Sequence, residues 1–302
     1  MRRIHPISIL RNMLREPADT LDRLGLSVLA LRFRSQIHSF NRCRPMLRSR
    51  MGLEIGGPSG MFGPTGLFPV YAVSARVDNC NFAVHTTWEG QISEGITFQF
   101  SAQKAPGRQY IAEADDLEQV PSDSYDFVLS SHCLEHVANP LKAIAEWKRV
   151  LKEQGLLVLV VPHKDATFDH RRPVTSLDHM IEDLERQVDK ADMTHLEEIL
   201  SLHDLAQDPE AGDIEAFTQR SARNAENRCL HHHVFDTCLA VEIMHYSGLQ
   251  ILTVEALSAN SILVTAKNPR RGQATDNRRF RGIGMERCWQ SPFPSDRRSA
   301  ER

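Results

Sequence analysis

No apolar run in this chain is long enough to cross a membrane. The longest, Leu156–Val161, falls far short of the roughly 18–20 residues a span needs. The N-terminus carries basic residues but no extended apolar stretch ahead of a small-residue cleavage site, so a secretory leader is not expected. Cysteine is sparse and scattered. Cys43, Cys80, Cys133, Cys229, Cys238 and Cys288 form no C-x-x-C pair, which argues against a disulfide framework or a zinc knuckle and for reduced thiols in a cytoplasmic setting. No internal repeat is visible.

Net charge is also small, at -3 over 302 residues, but it is unevenly placed. Residues 1–50 hold 11 Arg against Glu16, Asp19 and Asp22, and residues 270–302 hold 9 Arg against Asp276, Glu286, Asp296 and Glu301. The body between them is strongly acidic. A nucleic-acid binder needs a basic face, so nucleic acid is not an expected partner. The basic ends suit solvent, the acidic body itself, an anionic membrane or an acidic partner.

The informative stretch is Leu53-Glu54-Ile55-Gly56-Gly57-Pro58-Ser59-Gly60. It reads as a strand with an acid near its end, followed by a glycine turn that lets a ligand approach the backbone. The dinucleotide pattern of three spaced glycines is not met, because Pro58 stands where the middle glycine would be. Further on, Ile111–Leu117 closes one strand and Asp126–Ser131 forms another, which leads through His132 and Cys133 into Leu134-Glu135-His136-Val137. Arg149–Gly155 then turns into the apolar strand Leu156–Pro162.

In this order and spacing, these segments resemble motif I and the later strand ends of class I S-adenosylmethionine-dependent methyltransferases, in particular the small-molecule, type 11-like branch with its Leu-Glu-His-Val element. The similarity spans residues 51–162 and, more loosely, 231–268. It implies an α/β fold: a Rossmann-like, doubly wound, mainly parallel sheet with a final antiparallel hairpin. The alternation of strands with helical segments over 51–162 independently calls for a mainly parallel sheet.

The pattern divides the chain into a basic helical N-terminal arm (1–50), a methyltransferase domain (51–268) and a basic tail (269–302) whose lack of periodicity predicts disorder. Within the domain, Val70–Val77 reads as the second strand, and the space before it leaves room for only a cut-down crossover helix. Asn139 and Pro140 open a helix with Leu141, Ile144, Trp147 and Leu151 on its apolar face, ending at Gly155. Residues 163–230 lack a strand pattern and read as a helical insertion, with Thr175/Asp178 and Thr194/Glu197 as capping boxes. A helix over Thr237–Tyr246 precedes strands Gln250–Ala256 and Ser261–Lys267.

The resemblance implies S-adenosyl-L-methionine as cofactor. In a doubly wound sheet it lies across the carboxyl ends of the strands. Glu54, Gly56, Gly57 and Gly60 would border its methionine part, with ordering of the loop as the plainer task for Glu54. Asp78, following the second strand, would accept the ribose hydroxyls. Glu113, with Ala114, would lie on the adenine side, and Ser131 near the transferable methyl. His132 is a candidate general base, since imidazole titrates near neutrality. Eleven of the fourteen histidines fall between 132 and 245. Of these, His170 beside Asp169 and His232 within His231–His233 are expected on the acceptor side. That group admits three roles: an acceptor pocket, a divalent metal site with Asp169, or polar packing.

The expected activity is methyl transfer to oxygen or nitrogen of a small or polymer-linked acceptor. The alternatives are a methyltransferase-like binding or regulatory protein without chemistry, suggested by Pro58 and the short crossover, and a metal-dependent hydrolase on a similar sheet.

Overall fold

The computed structural model describes residues 37–257, 260–282 and 291–299. The N-terminal arm therefore lies outside the described residues up to position 36, as do Ser258 and Ala259 of the final hairpin turn and Cys288. The described elements are α1 (His38–Leu47), β1 (Met51–Ile55), α2 (Val70–Val73), β2 (Arg76–Asn81), the short pair β3 (His85–Thr86) and β4 (Gly90–Gln91), β5 (Gly95–Phe98), β6 (Gly107–Ile111) and β7 (Tyr125–Ser131). These are followed by α3 (Pro140–Val150), β8 (Leu151–Pro162), α4 (Leu177–Glu185), α5 (Leu196–Leu202), α6 (Ile214–Ala222), α7 (Asn224–Asn227), α8 (Thr237–Tyr246), β9 (Gln250–Leu257), β10 (Ser261–Lys267) and α9 (Pro294–Ser299).

Eight strands form one sheet in the order β5-β6-β2-β1-β7-β8-β10-β9. The pairs β6·β2, β2·β1, β1·β7 and β7·β8 are parallel, while β10 runs antiparallel to both β8 and β9. This is the doubly wound sheet with a closing antiparallel hairpin that the sequence implied. Its central strand β8 carries Leu156–Val161 with no exposed member, as expected where both faces of a parallel strand are covered. On one face Leu53, Val128, Leu157 and Leu159 pack with Trp147 and Ile144 of α3 and with α8. On the other, Phe127, Leu129, Val158 and Val160 pack with Cys43 and Leu47 of α1 and Tyr71 of α2.

The local signals hold at α3. The Asn139 side chain accepts the Lys142 amide hydrogen at 3.1 Å, and Pro140 occupies the first turn. The helix stops at Val150, however, and Leu151 already belongs to β8. The chain turns through Gln154, which takes a left-handed φ of 62°. In the insertion, α4 is capped by Ser176 in place of Thr175, and α5 follows His195 without a side-chain cap.

The second strand corrects the sequence reading. Val70–Val73 is a single helical turn, and β2 begins only at Arg76. Apolar alternation misled here because β2 buries polar residues: Asp78, Asn79 and Asn81 are all inside.

The tail is a second correction. The Asn277 amide donates to the Leu249 carbonyl, its oxygen accepts from the Ile251 amide, and Phe280 joins the core. Asp296 accepts from the amide of Thr237 at 3.1 Å and from its hydroxyl at 2.8 Å, and lies 3.1 Å from His163 Nε2. These are isolated anchors in a polar segment, so no periodicity announced them.

Candidate functional site

The loop after β1 is braced from beneath. Glu54 is fully buried at the end of β1, accepts the Ser59 amide hydrogen at 2.8 Å and receives the Tyr71 hydroxyl. Burial pushes its carboxyl up to about 8. Asn79 of β2 clamps Gly57 from the side: its oxygen accepts the Gly57 amide at 3.1 Å, and its amide donates to the Gly57 carbonyl at 2.9 Å. A Cβ on Gly57 would sit 2.2 Å from the Glu54 carboxyl carbon. Gly57 therefore serves the brace, and Glu54 orders the loop from behind without lining the cavity.

Gly56 does line the cavity, with φ +77° and a virtual Cβ 3.0 Å from Cys133 Sγ. Gly60 does not; a Cβ there would meet nothing within 4 Å.

Above this loop, at the carboxyl ends of β1, β2, β6 and β7, lies a cavity of about 640 Å³, within the range of small-molecule and cofactor sites. Asn81 and Phe82 border it after β2, Glu113 and Ala114 after β6, and Ser131 and His132 after β7. The segment around Trp88 closes one side, and Arg228, His231 and His232 of the insertion close another.

Asp78 is not part of it. It sits in mid-strand, 3% exposed, and accepts from the Arg76 guanidinium at 2.6 Å, the Arg108 amide at 2.7 Å and the Tyr125 hydroxyl at 2.7 Å. With β2 shifted toward the C-terminus, its carboxyl end falls at Asn81.

Glu113 forms a bridge to the insertion. Arg228 Nη2 lies 2.6 Å and Lys190 Nζ 3.1 Å from its Oε1, and the same guanidinium stands 5.0 Å from the Phe82 ring centre.

On the opposite side, His132 takes a left-handed φ of 51°, uncommon for a non-glycine residue. Its Nε2 is 3.0 Å from Ser261 Oγ and its Nδ1 3.7 Å from Glu135. Enclosure by protein lowers its pKa to about 4, so the ring is neutral at pH 7. Glu135 is fully buried, both carboxyl oxygens lack hydrogen-bond partners, and burial raises it to about 7.

The acceptor-side group separates into parts. His231 lines the cavity, with Nδ1 2.5 Å from Asp169 Oδ2. Asp169 lies behind it, also bonded to Arg172 at 2.9 Å. Burial alone would raise Asp169, but the neighbouring charges of His231 and Arg172 hold it at about 2. Burial likewise opposes protonation of His231, and Asp169 outweighs it to raise that imidazole. His232 also lines the cavity, 3.0 Å from the Asn224 amide, and burial lowers it to about 4. His170 is elsewhere: its ring faces Asp204 at 2.9 Å, outside the cavity.

The fold is Rossmann-like, and the cavity lies at the strand ends, where doubly wound sheets commonly bind ligands. Residues 91–159 match the family model described as a methyltransferase domain. The match runs from just before β5 into β8 and leaves out both the glycine loop and the insertion.

No curated protein matches the chain. Similar solved structures include an S-adenosylmethionine-dependent methyltransferase from Mesorhizobium loti, 14% identical, covering 76% of this chain and 95% of that one at a TM-score of 0.41. Another, from Aquifex aeolicus, is 12% identical and covers 88% and 99% at 0.36.

Asn81, Phe82, Trp88 and Arg228 were not singled out in the sequence. A correct boundary for β2 would have pointed to the first two. Trp88 and Arg228 carry no local signal, because each reaches the site only through the packing of a loop.

Proposed function

We propose that the chain catalyses methyl transfer from S-adenosyl-L-methionine to an oxygen or nitrogen of a small or polymer-linked acceptor in the cytoplasm. The observation that carries this reading is the cavity at the strand ends, bordered by Gly56 on one side and on the other by His231, which Asp169 holds from behind.

The residues fit the cofactor. Gly56 leaves the close approach a side chain would fill. Asn81, Glu113 and Ala114 line the cavity; in our reading Asn81 would meet the ribose, and Glu113 with Ala114 the adenine. The Phe82 and Ile55 side chains supply an apolar wall. When bound, the cofactor supplies an electrophilic methyl on a positively charged sulfur.

The chain's own work is alignment and proton removal, and alignment of an in-line displacement is the larger share. In our reading His231 takes the acceptor proton. Its Nδ1 is committed to Asp169, which fixes the tautomer and leaves Nε2 as the basic nitrogen. Asp169 is a positioning residue, behind the ring. His132 stays neutral and hydrogen-bonds at the cavity edge, and His232 shapes the wall. The Glu113–Arg228 bridge holds the insertion over the cavity.

Isothermal titration with S-adenosylmethionine, followed by transfer of labelled methyl into cell extract, tests the proposal. Binding with transfer supports it. Binding without transfer would favour a regulatory role, and absence of binding would remove the reading.

A further inference from the structure

A second cluster lies in the insertion, and none of its members lines the cavity. Helix α4 places His179 and Asp183 one turn apart on the same face. His195 is brought to them at the start of α5, and His233 arrives from the segment that leads into α8. His179 Nε2 lies 3.1 Å from His195 Nε2 and 3.4 Å from Asp183 Oδ2, and His233 Nε2 is 3.8 Å from the same oxygen. One ligand atom from each of the four falls within 4.8 Å of every other.

These separations are also those of a coordination sphere. Around a tetrahedral zinc ion with bonds of about 2.0–2.1 Å, neighbouring ligand atoms stand about 3.3 Å apart. Asp183 is 5% exposed, yet its Oδ2 accepts no hydrogen bond, although imidazoles surround it. Leaving a buried carboxylate oxygen unpaired costs free energy, and a cation there would remove that cost. His233 Nε2 lies 3.1 Å from the Ala138 carbonyl as well as 3.8 Å from Asp183 Oδ2, and its Nδ1 has no hydrogen-bond partner.

We propose that His179, Asp183, His195 and His233 form a closed, four-ligand site for a first-row divalent metal ion of the zinc class. Three imidazoles and one carboxylate suit such ions, and a complete protein ligand set marks a structural site, not a catalytic one. The ion would tie α4, the turn before α5 and the triple-histidine segment together. It would thereby fix His231 and His232, which continue directly from His233 to the cavity wall. The site does not depend on methyl transfer being the reaction.

The test uses full-length protein made without a polyhistidine tag, loaded with zinc, dialysed and measured by elemental mass spectrometry. One zinc per chain is expected, and cobalt substitution should give the strong visible absorption of a tetrahedral site. Asp183→Asn and His195→Ala should each lower retained zinc at least tenfold, with far-UV circular dichroism confirming folding. His136→Ala, in the separate Glu135–His136–His231 group, should leave the stoichiometry unchanged. Wild-type protein that retains no zinc, or a cobalt form with only weak octahedral bands, would overturn the proposal without recourse to any variant. Zinc retained by the folded Asp183→Asn protein, or lost only with His136→Ala, would overturn it as well.

Discussion

Asp169 Oδ2 stands 2.5 Å from His231 Nδ1, joining the segment after β8 to the end of the insertion across 62 positions of sequence. Asp169 is 3% exposed and also holds Arg172, so its negative charge is fully committed. This pair turns the ring of His231 toward the cavity.

Asp169→Asn should therefore lower methyl transfer by a factor of ten or more while leaving S-adenosylmethionine affinity within about twofold. It should also change the acid limb of stability. The folded carboxyl is held at about 2, below its ordinary 3.8, so it contributes stability above the ordinary value that is lost as pH falls toward 2. The shift corresponds to about 2 kcal/mol. Denaturant melts between pH 2 and 5 should show a shallower acid limb in the variant. An unchanged limb would refute the assignment.

Glu135 predicts the opposite slope. Burial raises its carboxyl from 4.5 to about 7, so the folded protein holds a proton that the unfolded chain has released. Its contribution to stability falls as pH rises from 4.5 to 7, by up to about 3 kcal/mol. Glu135→Gln should flatten that fall, making the variant relatively more stable at pH 8 than at pH 5. Parallel pH profiles for variant and wild type would contradict this.

The glycines of the first loop should behave differently from one another. Gly56→Val places a branched side chain at φ +77° against Cys133 and on the cavity wall. It should abolish measurable cofactor binding at a backbone cost of about 1–3 kcal/mol. Gly60→Val faces open space and should bind within about threefold of wild type. Titration calorimetry on folded variants decides, and equal effects at the two positions would count against the loop assignment.

Deletion of residues 270–302 should lower the melting temperature by at least about 5 °C. It removes the Asn277 contacts to β9, the buried Phe280 ring and the Asp296 bonds to Thr237 and His163. Thr237 opens α8, so Asp296→Asn alone should reproduce part of the loss. A melting temperature unmoved by the deletion would show that the segment is dispensable.

The sequence by itself settled what depends on local pattern. The glycine turn after Leu53–Ile55, the Asn139–Pro140 helix start and the apolar strand Leu156–Val161 each carry their signal within a few residues. Their order was enough for the parallel sheet and for the cavity's place at the strand ends. Only the tertiary structure decided what depends on contacts between distant segments. A strand that buries Asp78, Asn79 and Asn81 has no apolar alternation to mark its limits, because side-chain hydrogen bonds from other elements satisfy its polar groups. A tail held by Asn277, Phe280 and Asp296 has anchors too widely spaced for any period. Among the histidines, composition showed the excess, but which face the cavity, which faces Asp204 and which cluster around Asp183 was fixed by how the insertion folds back on the sheet.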